Sequence, residues 1–297
     1  MKVLFVFNPL SGVVQIRNQL LNIINCFSKA GYDLTVYATQ AQNDAFRLIS
    51  QKAAEYELIV CSGGDGTLNE VVNGLLVSQA HVLLGYIPSG STNDYAASLK
   101  LPKNMFKAAE LITEGRPAVY DMGLFNERYF VYVAAFGAFT SVSYNTPQET
   151  KNLIGHLAYV FEGIKSVGSI KEYMMEVITE GATYYEPFIY GMVTNSLSVG
   201  GLYNMSRSNV ELDDGLFEVM LIKSPKTAFD LTSITSYLLG IDASSPFVEV
   251  FKTRSIRFIT DEAIPWTIDG EYGGTLKTAE ITVLNKAVQI ISKEKVN

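Results

Sequence analysis

Three glycines and one carboxylate lie together in Gly63-Gly64-Asp65-Gly66-Thr67, between a short apolar run and a stretch of helical periodicity. Glycine at the carboxyl end of a parallel strand lets the backbone come close to a ligand, and the N–H groups that open a helix attract an anion. The pattern suits a phosphate cradle. The alternative is a plain tight turn, for which two glycines suffice and an aspartate is not needed. The Asp65 carboxylate would repel a phosphate unless a metal ion stood between them. Asp65 is therefore a candidate magnesium partner, directly or through water. The spacing is neither GxGxxG nor GxxxxGK[ST]. Thr67 and Glu70 have capping-box spacing, and Leu68, Val71, Val72 and Leu75 give the helix its apolar stripe.

Two further loops repeat the design. Pro88–Asp94, "PSGSTND", follows an apolar run, with Gly90 at the turn and Ser91 and Asp94 at capping-box-like spacing. Asn8–Gly12, "NPLSG", follows the first apolar run. Each loop alone is weak evidence, but three at one sheet edge are harder to dismiss. Late in the chain, "WTIDGEYGG" and "ELDDGLFEV" each hold an Asp-Gly pair, and on pattern alone both read as hairpin turns.

The elements that must position these loops alternate over the first ~125 residues. "KVLFVFN", "DLTVYAT", "YELIVCSGG" and "VLLGYIPSG" read as strands, separated by helical stretches, the first ending on Gly31. Continuous apolar strands between helices indicate a parallel sheet covered on both faces. From about Asp121 the pattern changes. "YDMGLFNERYFVYVAAFG" reads as strand, turn, strand, with Asn126-Glu127 near the turn. A helical stretch, "TKNLIGHLAYVFEGIKSV", follows. Then come runs rich in Tyr, Phe, Val, Ile and Thr, broken by Gly, Asp and Asn, as in an antiparallel β domain. The final "VQIISK" is one more strand of either domain. With no long linker between them, the domains are expected to form a fixed cleft, where ligand pockets are favoured.

Composition bounds the function. At 297 residues two domains are the better prior, and 48% apolar content excludes a disordered chain. The net charge of −7 argues against a nucleic-acid footprint. The longest apolar run, Tyr129–Phe139, is far short of a membrane span, and "MKVLFVFNP" reads as a buried first strand rather than a secretory signal. A cytoplasmic protein is expected. Cys26 and Cys61 read as buried reduced thiols, with no zinc-site spacing. His81 and His156 read as structural, and Trp266 reads as filling the core or lining the cleft. The stripe Leu153, Leu157, Phe161 and Ile164 also reads as structural.

NPxSG, GGDGTxNEVxNG, PxGTxND and a late DGE, taken in this order, resemble the diacylglycerol kinase catalytic-domain family, most closely its bacterial soluble lipid kinases. The resemblance implies an α/β N-terminal domain with a parallel sheet, NAD kinase/phosphofructokinase-like, over residues 1–125, which binds ATP. It also implies a C-terminal antiparallel β-sandwich-like domain over 126–297 for the lipid acceptor, with the last strand free to pack back on the first domain. The ATP site carries over to Asn8, Pro9, Ser11, Gly12, Thr39, Gly64, Asp65, Gly66, Thr67, Leu68, Asn69, Glu70 and Ser91. The last stands where the family has threonine, and keeps the hydroxyl. The lysine common after NPxSG is absent, since Val13-Val14-Gln15 follows Gly12.

The resemblance makes Glu271 the general base on the lipid hydroxyl, with Asp65 and Mg²⁺ offsetting charge on the transferring phosphoryl group. It also implies a structural magnesium held by the Glu211 carbonyl, the Asp214 carboxylate and the Leu216 carbonyl. The implied activity is ATP-dependent phosphorylation of a lipid hydroxyl, with diacylglycerol giving phosphatidate as the leading case. The alternatives are a kinase for a sphingoid base or other lipid alcohol, and a non-catalytic nucleotide- or lipid-binding member. The lipid would be met in transient contact with a membrane surface, and a homodimer through the β domain is implied by the resemblance alone.

Overall fold

The computed structural model describes residues 1–11, 15–137, 170–196 and 210–293. The chain forms two compact units, residues 1–122 with 285–297, and residues 123–284.

The first unit is built on a parallel sheet. Strands β1 (Lys2–Phe7), β2 (Asp33–Ala38), β3 (Leu58–Gly63) and β4 (Leu83–Pro88) lie in the order β2-β1-β3-β4. β1 pairs in parallel with both β2 and β3, and β3 with β4. β3 is buried along its whole length, as a central parallel strand must be, whereas β2 is an edge strand with several exposed positions. Helices α1 (Gln15–Lys29), α2 (Asp44–Lys52), α3 (Asp65–Ser78), α4 (Asp94–Ser98) and α5 (Met105–Glu114) fill the connections. α1 stops where the sequence says it should. Gly31 has a φ of 78°, its N–H donates to Ser28 O, and the Tyr32 N–H reaches back to Phe27 O. The Phe27 and Tyr32 rings stack with centroids 6.0 Å apart, the apolar contact that accompanies this ending. The core under α1 and α5 gathers Val3, Phe5, Ile23, Phe27, Val60 and Ile112.

Strand β5 (Arg116–Phe125) carries the chain into the second unit. There it turns at Asn126 into β6 (Arg128–Phe130), followed by β7 (Val133–Gly137), β8 (Tyr173–Thr179), β9 (Thr183–Thr194) and β10 (Phe217–Lys223). Helix α6 (Ala228–Leu238) precedes β11 (Val248–Thr253), β12 (Ser255–Ile268) and β13 (Glu271–Ser292). Two long strands shape this unit. The first halves of β9 and β12 both pair with β8, and their second halves both pair with β7. That closure places Phe136, Phe188, Phe217, Phe258 and Trp266 in one core. The Trp266 ring lies 4.9–5.1 Å from those of Phe125, Phe136 and Phe258. Of its two expected places, core or cleft lining, Trp266 takes the core.

The structure departs from the expected elements in several places. Helices α5 and α6 lie where no helix is expected from the sequence. The run "FVEVFKTRSIRFIT" is two strands, divided at Arg254. β12 joins the second half of that run to the start of "IPWTIDGEYGG", and β13 joins the rest of it to "AEITVLN" and "VQIISK". β13 is 22 residues long, with Lys286 left-handed (φ 52°) inside it. Its final residues return to the first unit, where Ile290 pairs in parallel with Leu84. The expected helix around Leu153–Ile164, including His156, lies outside the described residues.

Candidate active site

The loops after β1, β3 and β4 are laced together by buried hydroxyls. Ser11 Oγ donates to Ser89 O at 2.9 Å and lies 2.6 Å from Ser89 Oγ, while Ser62 Oγ donates to Ser89 Oγ at 3.4 Å. All three serines are buried. Backbone bonds repeat the connection, Asn8 N–H to Ser62 O and Ser89 N–H to Gly63 O, both at 2.9 Å. Asn8 adds its side chain, with Oδ1 accepting from the Leu10 N–H and Nδ2 donating to Thr67 Oγ1 at 3.4 Å. A buried polar group without a partner costs about 1–3 kcal/mol, so this ladder fixes the three loops as one body.

Two glycines make the approach possible. A Cβ on Gly90 would lie 2.4 Å from Gly64 Cα, and one on Gly64 would lie 3.3 Å from Gly90 Cα. The second and third loops therefore touch backbone to backbone, at the helix start where N–H groups face outward. This answers why glycine is concentrated there: a simple turn needs no such contact.

Asp65 opens α3 and spans to the next loop. Its carboxylate accepts from the Asp94 N–H at 3.2 Å and the Tyr95 N–H at 3.4 Å, at the start of α4. Asp94 itself is buried. Beneath them lies Tyr86, whose hydroxyl reaches Gly63 O at 3.2 Å and Asn93 Oδ1 at 3.4 Å. Burial first, then the negative charge of Asp65, holds its phenol well above the ordinary tyrosine range, so it stays a donor. Asn93, in a left-handed conformation, closes the third loop: Oδ1 accepts from the Gly90 N–H at 2.9 Å and Nδ2 donates to Gly90 O at 2.7 Å. The sequence alone does not assign Tyr86 or Asn93, and shows Asp94 only as a helix-start residue. The "ND" closing the glycine-bearing loop was the available signal.

The remaining first-unit residues divide. Thr39 is buried at the end of β2, its N–H donating to Phe7 O beside Asn8. Ser91 is exposed just beyond Gly90, and Gly66 and Asn69 are half-buried. Leu68 lies wholly in the core, so it can offer a ligand no side chain. Glu70 points elsewhere: its carboxylate accepts from the Asn43 N–H at 2.8 Å and the Ala45 N–H at 3.1 Å, at the start of α2. Both expected capping boxes are thereby corrected. α3 begins at Asp65 with Gly64 as its cap, too early for Thr67 to cap it. α4 begins at Asp94 with Asn93 as its cap, so Ser91 stands two residues before the cap position. Pro9 is half-buried, and Gly12 lies outside the described residues.

In the second unit Asp269 and Gly270, at φ 48° and 83°, make the tight hairpin turn between β12 and β13. Asp269 does more than turn. Its buried carboxylate accepts three backbone N–H groups, from Val131 at 2.7 Å and from Tyr132 and Val133 at 3.0 Å. Glu271 follows on the exposed side of the turn. At the suggested structural magnesium set, Asp214 Oδ2 is held by Lys252 Nζ at 2.9 Å and Oδ1 by the Leu216 N–H. A lysine thus already balances the one side-chain carboxylate of the set Glu211, Asp214 and Leu216. Among the described residues no three His, Cys, Asp or Glu side chains gather as metal ligands. None of the described helices is long and apolar enough to cross a membrane.

Comparison with known proteins converges on one family. The model of the diacylglycerol kinase catalytic domain matches residues 2–125, and that of the YegS C-terminal NAD kinase beta sandwich-like domain matches residues 134–292. A diacylglycerol kinase of Bacillus subtilis (strain 168) is 31% identical over 292 residues, covering 98% of this chain and 96% of the relative. One of Staphylococcus carnosus (strain TM300) is 32% identical over 274 residues, covering 91% and 89%. A crystal structure from Bacillus anthracis str. Sterne aligns with a TM-score of 0.86 at 26% identity, covering 100% of this chain and 96% of that one. Two matching domains in order, and relatives matched nearly end to end, show that the chain belongs to the diacylglycerol kinase catalytic-domain family and is a lipid kinase.

Proposed function

We propose that the chain transfers the γ-phosphoryl group of ATP to the hydroxyl of diacylglycerol, giving phosphatidate and ADP. One observation carries the reading: three loops at the carboxyl ends of parallel strands are laced into one body, with Gly64 against Gly90 and Asp65 at the helix start. The names of relatives 31–32% identical support diacylglycerol as the acceptor.

The donor phosphates would rest on the N–H groups of Gly64–Thr67, with Asn8 and Ser91 beside them. The lysine that the resemblance implies after NPxSG is absent here, where Val13-Val14-Gln15 follows Gly12, so less positive charge comes from side chains there. Asp65, with Asp94 adjacent, is a hard oxygen donor set suited to magnesium, which keeps most of its other ligands as water and phosphate oxygens. Bound there, the ion would neutralise charge on the transferring group. The acceptor oxygen forms a bond to Pγ, the bond from Pγ to the β,γ-bridging oxygen breaks, and ADP leaves with that oxygen. The hydroxyl proton passes to Glu271. A carboxylate is a weak base for an alcohol. The transition state is loose, however, so the proton leaves late and position matters more than basicity.

The test is transfer of labelled γ-phosphate from Mg-ATP to a panel of lipids in mixed micelles, with Glu271→Gln and Asp65→Asn alongside. Labelled phosphatidate from the wild type, lost in both variants, is the expected result. Label only on a sphingoid base or another lipid alcohol would overturn the acceptor. No transfer to any lipid, with ATP still bound, would overturn the activity.

A further inference from the structure

We propose that Glu70 is a positioning residue, fixing the loop after β2 and acting on the donor nucleotide through that loop rather than by contact. The inference rests on the reading of the first unit as the donor site.

Glu70 lies on α3, one turn past the glycine-rich loop, and both of its carboxylate oxygens are used. Oε1 takes the Asn43 N–H and Oε2 the Ala45 N–H. These are two of the backbone donors that the start of α2 cannot satisfy within its own helix. Asn43, the cap of α2, is left-handed and contributes no side-chain cap, so a carboxylate from another helix takes over that task. The loop between Thr39 and Asn43 is tied from its other end as well. Asp44 Oδ2 accepts from the Gln40 N–H at 2.8 Å, and the Tyr37 hydroxyl donates to the same carboxylate. The few residues that carry Thr39 away from β2 are thus held between Asp44 and Glu70.

One turn further along α3 the same face is shaped to fit. A Cβ on Gly74 would lie 2.7 Å from Ile49 Cβ and 3.1 Å from Phe46 O. The helices therefore touch where Gly74 stands. "GGDGTLNEVVNG" divides by direction: Gly63 to Gly66 face the loop edge, while Glu70 and Gly74 face α2. Glu70 is next to the nucleotide motif in sequence, yet its carboxylate serves the neighbouring helix.

The experiment combines amide hydrogen exchange with nucleotide kinetics on Glu70→Ala and Glu70→Gln in the full chain. In Glu70→Ala the Asn43 and Ala45 amides should exchange at least about tenfold faster, with β3 amides unchanged. The KM for ATP should rise about tenfold, with kcat within about twofold and the same factor for 2′-deoxy-ATP. Glu70→Gln keeps one acceptor oxygen and should fall between, at about threefold; it carries the test if the alanine variant fails to fold. A raised KM with unchanged amides, or a loss that differs between ATP and its ribose analogue, would show direct contact and overturn the proposal. So would a collapse of kcat at constant KM. If the wild type transfers no phosphate, the functional reading fails separately, while exchange and calorimetric ATP binding still decide the role of Glu70.

Discussion

Replacing Asp269 by asparagine should damage the second unit's stability while leaving Glu271 untouched. The Asp269 carboxylate accepts three buried N–H groups. Asparagine can keep one oxygen in place, but its NH₂ must then face a backbone donor. With the oxygen at the Oδ1 position, the bonds to Tyr132 and Val133 survive and the Val131 N–H is left without an acceptor. A bond to a charged group contributes about 1.5–3 kcal/mol, and an orphaned buried donor costs about 1–3 kcal/mol, so a loss of about 3 kcal/mol is expected. For a unit of this size that corresponds to roughly 6–12 °C in Tm. Calorimetric melting reads the shift, and amide exchange at Val131, Tyr132 and Val133 locates it. Glu271→Gln, at an exposed position, should melt within about 1 °C of wild type and lose phosphoryl transfer. An Asp269→Asn melt within about 2 °C of wild type, with those three amides still protected, would refute the reasoning. The two carboxylates of the DGE motif would then not divide into a structural and a chemical member.

Two further outcomes concern the Gly90–Gly64 contact and the buried Glu218, which pairs with Lys252 in the second unit. Gly90→Ala puts a Cβ 2.4 Å from Gly64 Cα. Overpacking should cost about 1–3 kcal/mol, and a displaced phosphate loop should cut kcat/KM for ATP by roughly a hundredfold, read by steady-state kinetics. Burial pushes the Glu218 carboxyl up to about 7 against the opposing pull of Lys252. Because its folded pKa lies above the unfolded value, its favourable contribution is complete below about pH 4.5 and is lost as pH rises through 7. Relative to Glu218→Gln, the wild type should lose up to about 3 kcal/mol over that window, read by denaturant melts in a chelating buffer.

The parallel half was legible because β1, β3 and β4 are continuous apolar runs ending in glycine-bearing loops, a pattern few other arrangements produce. α6 was not, because "AFDLTSITSYL" is rich in Thr, Ser and Ile and lies among strands. Its signals were local and available: Thr227 and Asp230 form a reciprocal capping box, and Gly240 ends the helix with a φ of 74°. α5 buries small residues, Ala108 and Ala109, between Met105 and Ile112, which weakens the periodic signal. The site was legible in its loops and not in its directions. Thr67 and Glu70 have the spacing of a capping box, but α3 starts two residues earlier, and only the placement of α2 shows where Glu70 goes. Likewise an Asp-Gly turn predicts Asp269 at a hairpin but not the three amides of a distant segment that converge on it.

Those directions decide how Asp65→Asn must be read. Asp65 has a structural use as well as the proposed chemical one, since it accepts from the first amides of α4. If that use dominated, loss of activity would say nothing about phosphate or metal. The bonds are long, 3.2 and 3.4 Å, and the group is only half-buried. Each is therefore near the weak end of the range, and asparagine retains one acceptor oxygen. The expected stability loss is about 1 kcal/mol or less. Phosphoryl transfer should fall at least a hundredfold, because the amide cannot neutralise or bind a cation as a carboxylate does. Melting and transfer measured on the same preparation separate the two uses. A fall in Tm comparable to that of Asp269→Asn would make Asp65 a brace for α4 and move the cation's anchor to Asp94. A small fall with activity lost would leave Asp65 holding the charge that the transferring group must meet.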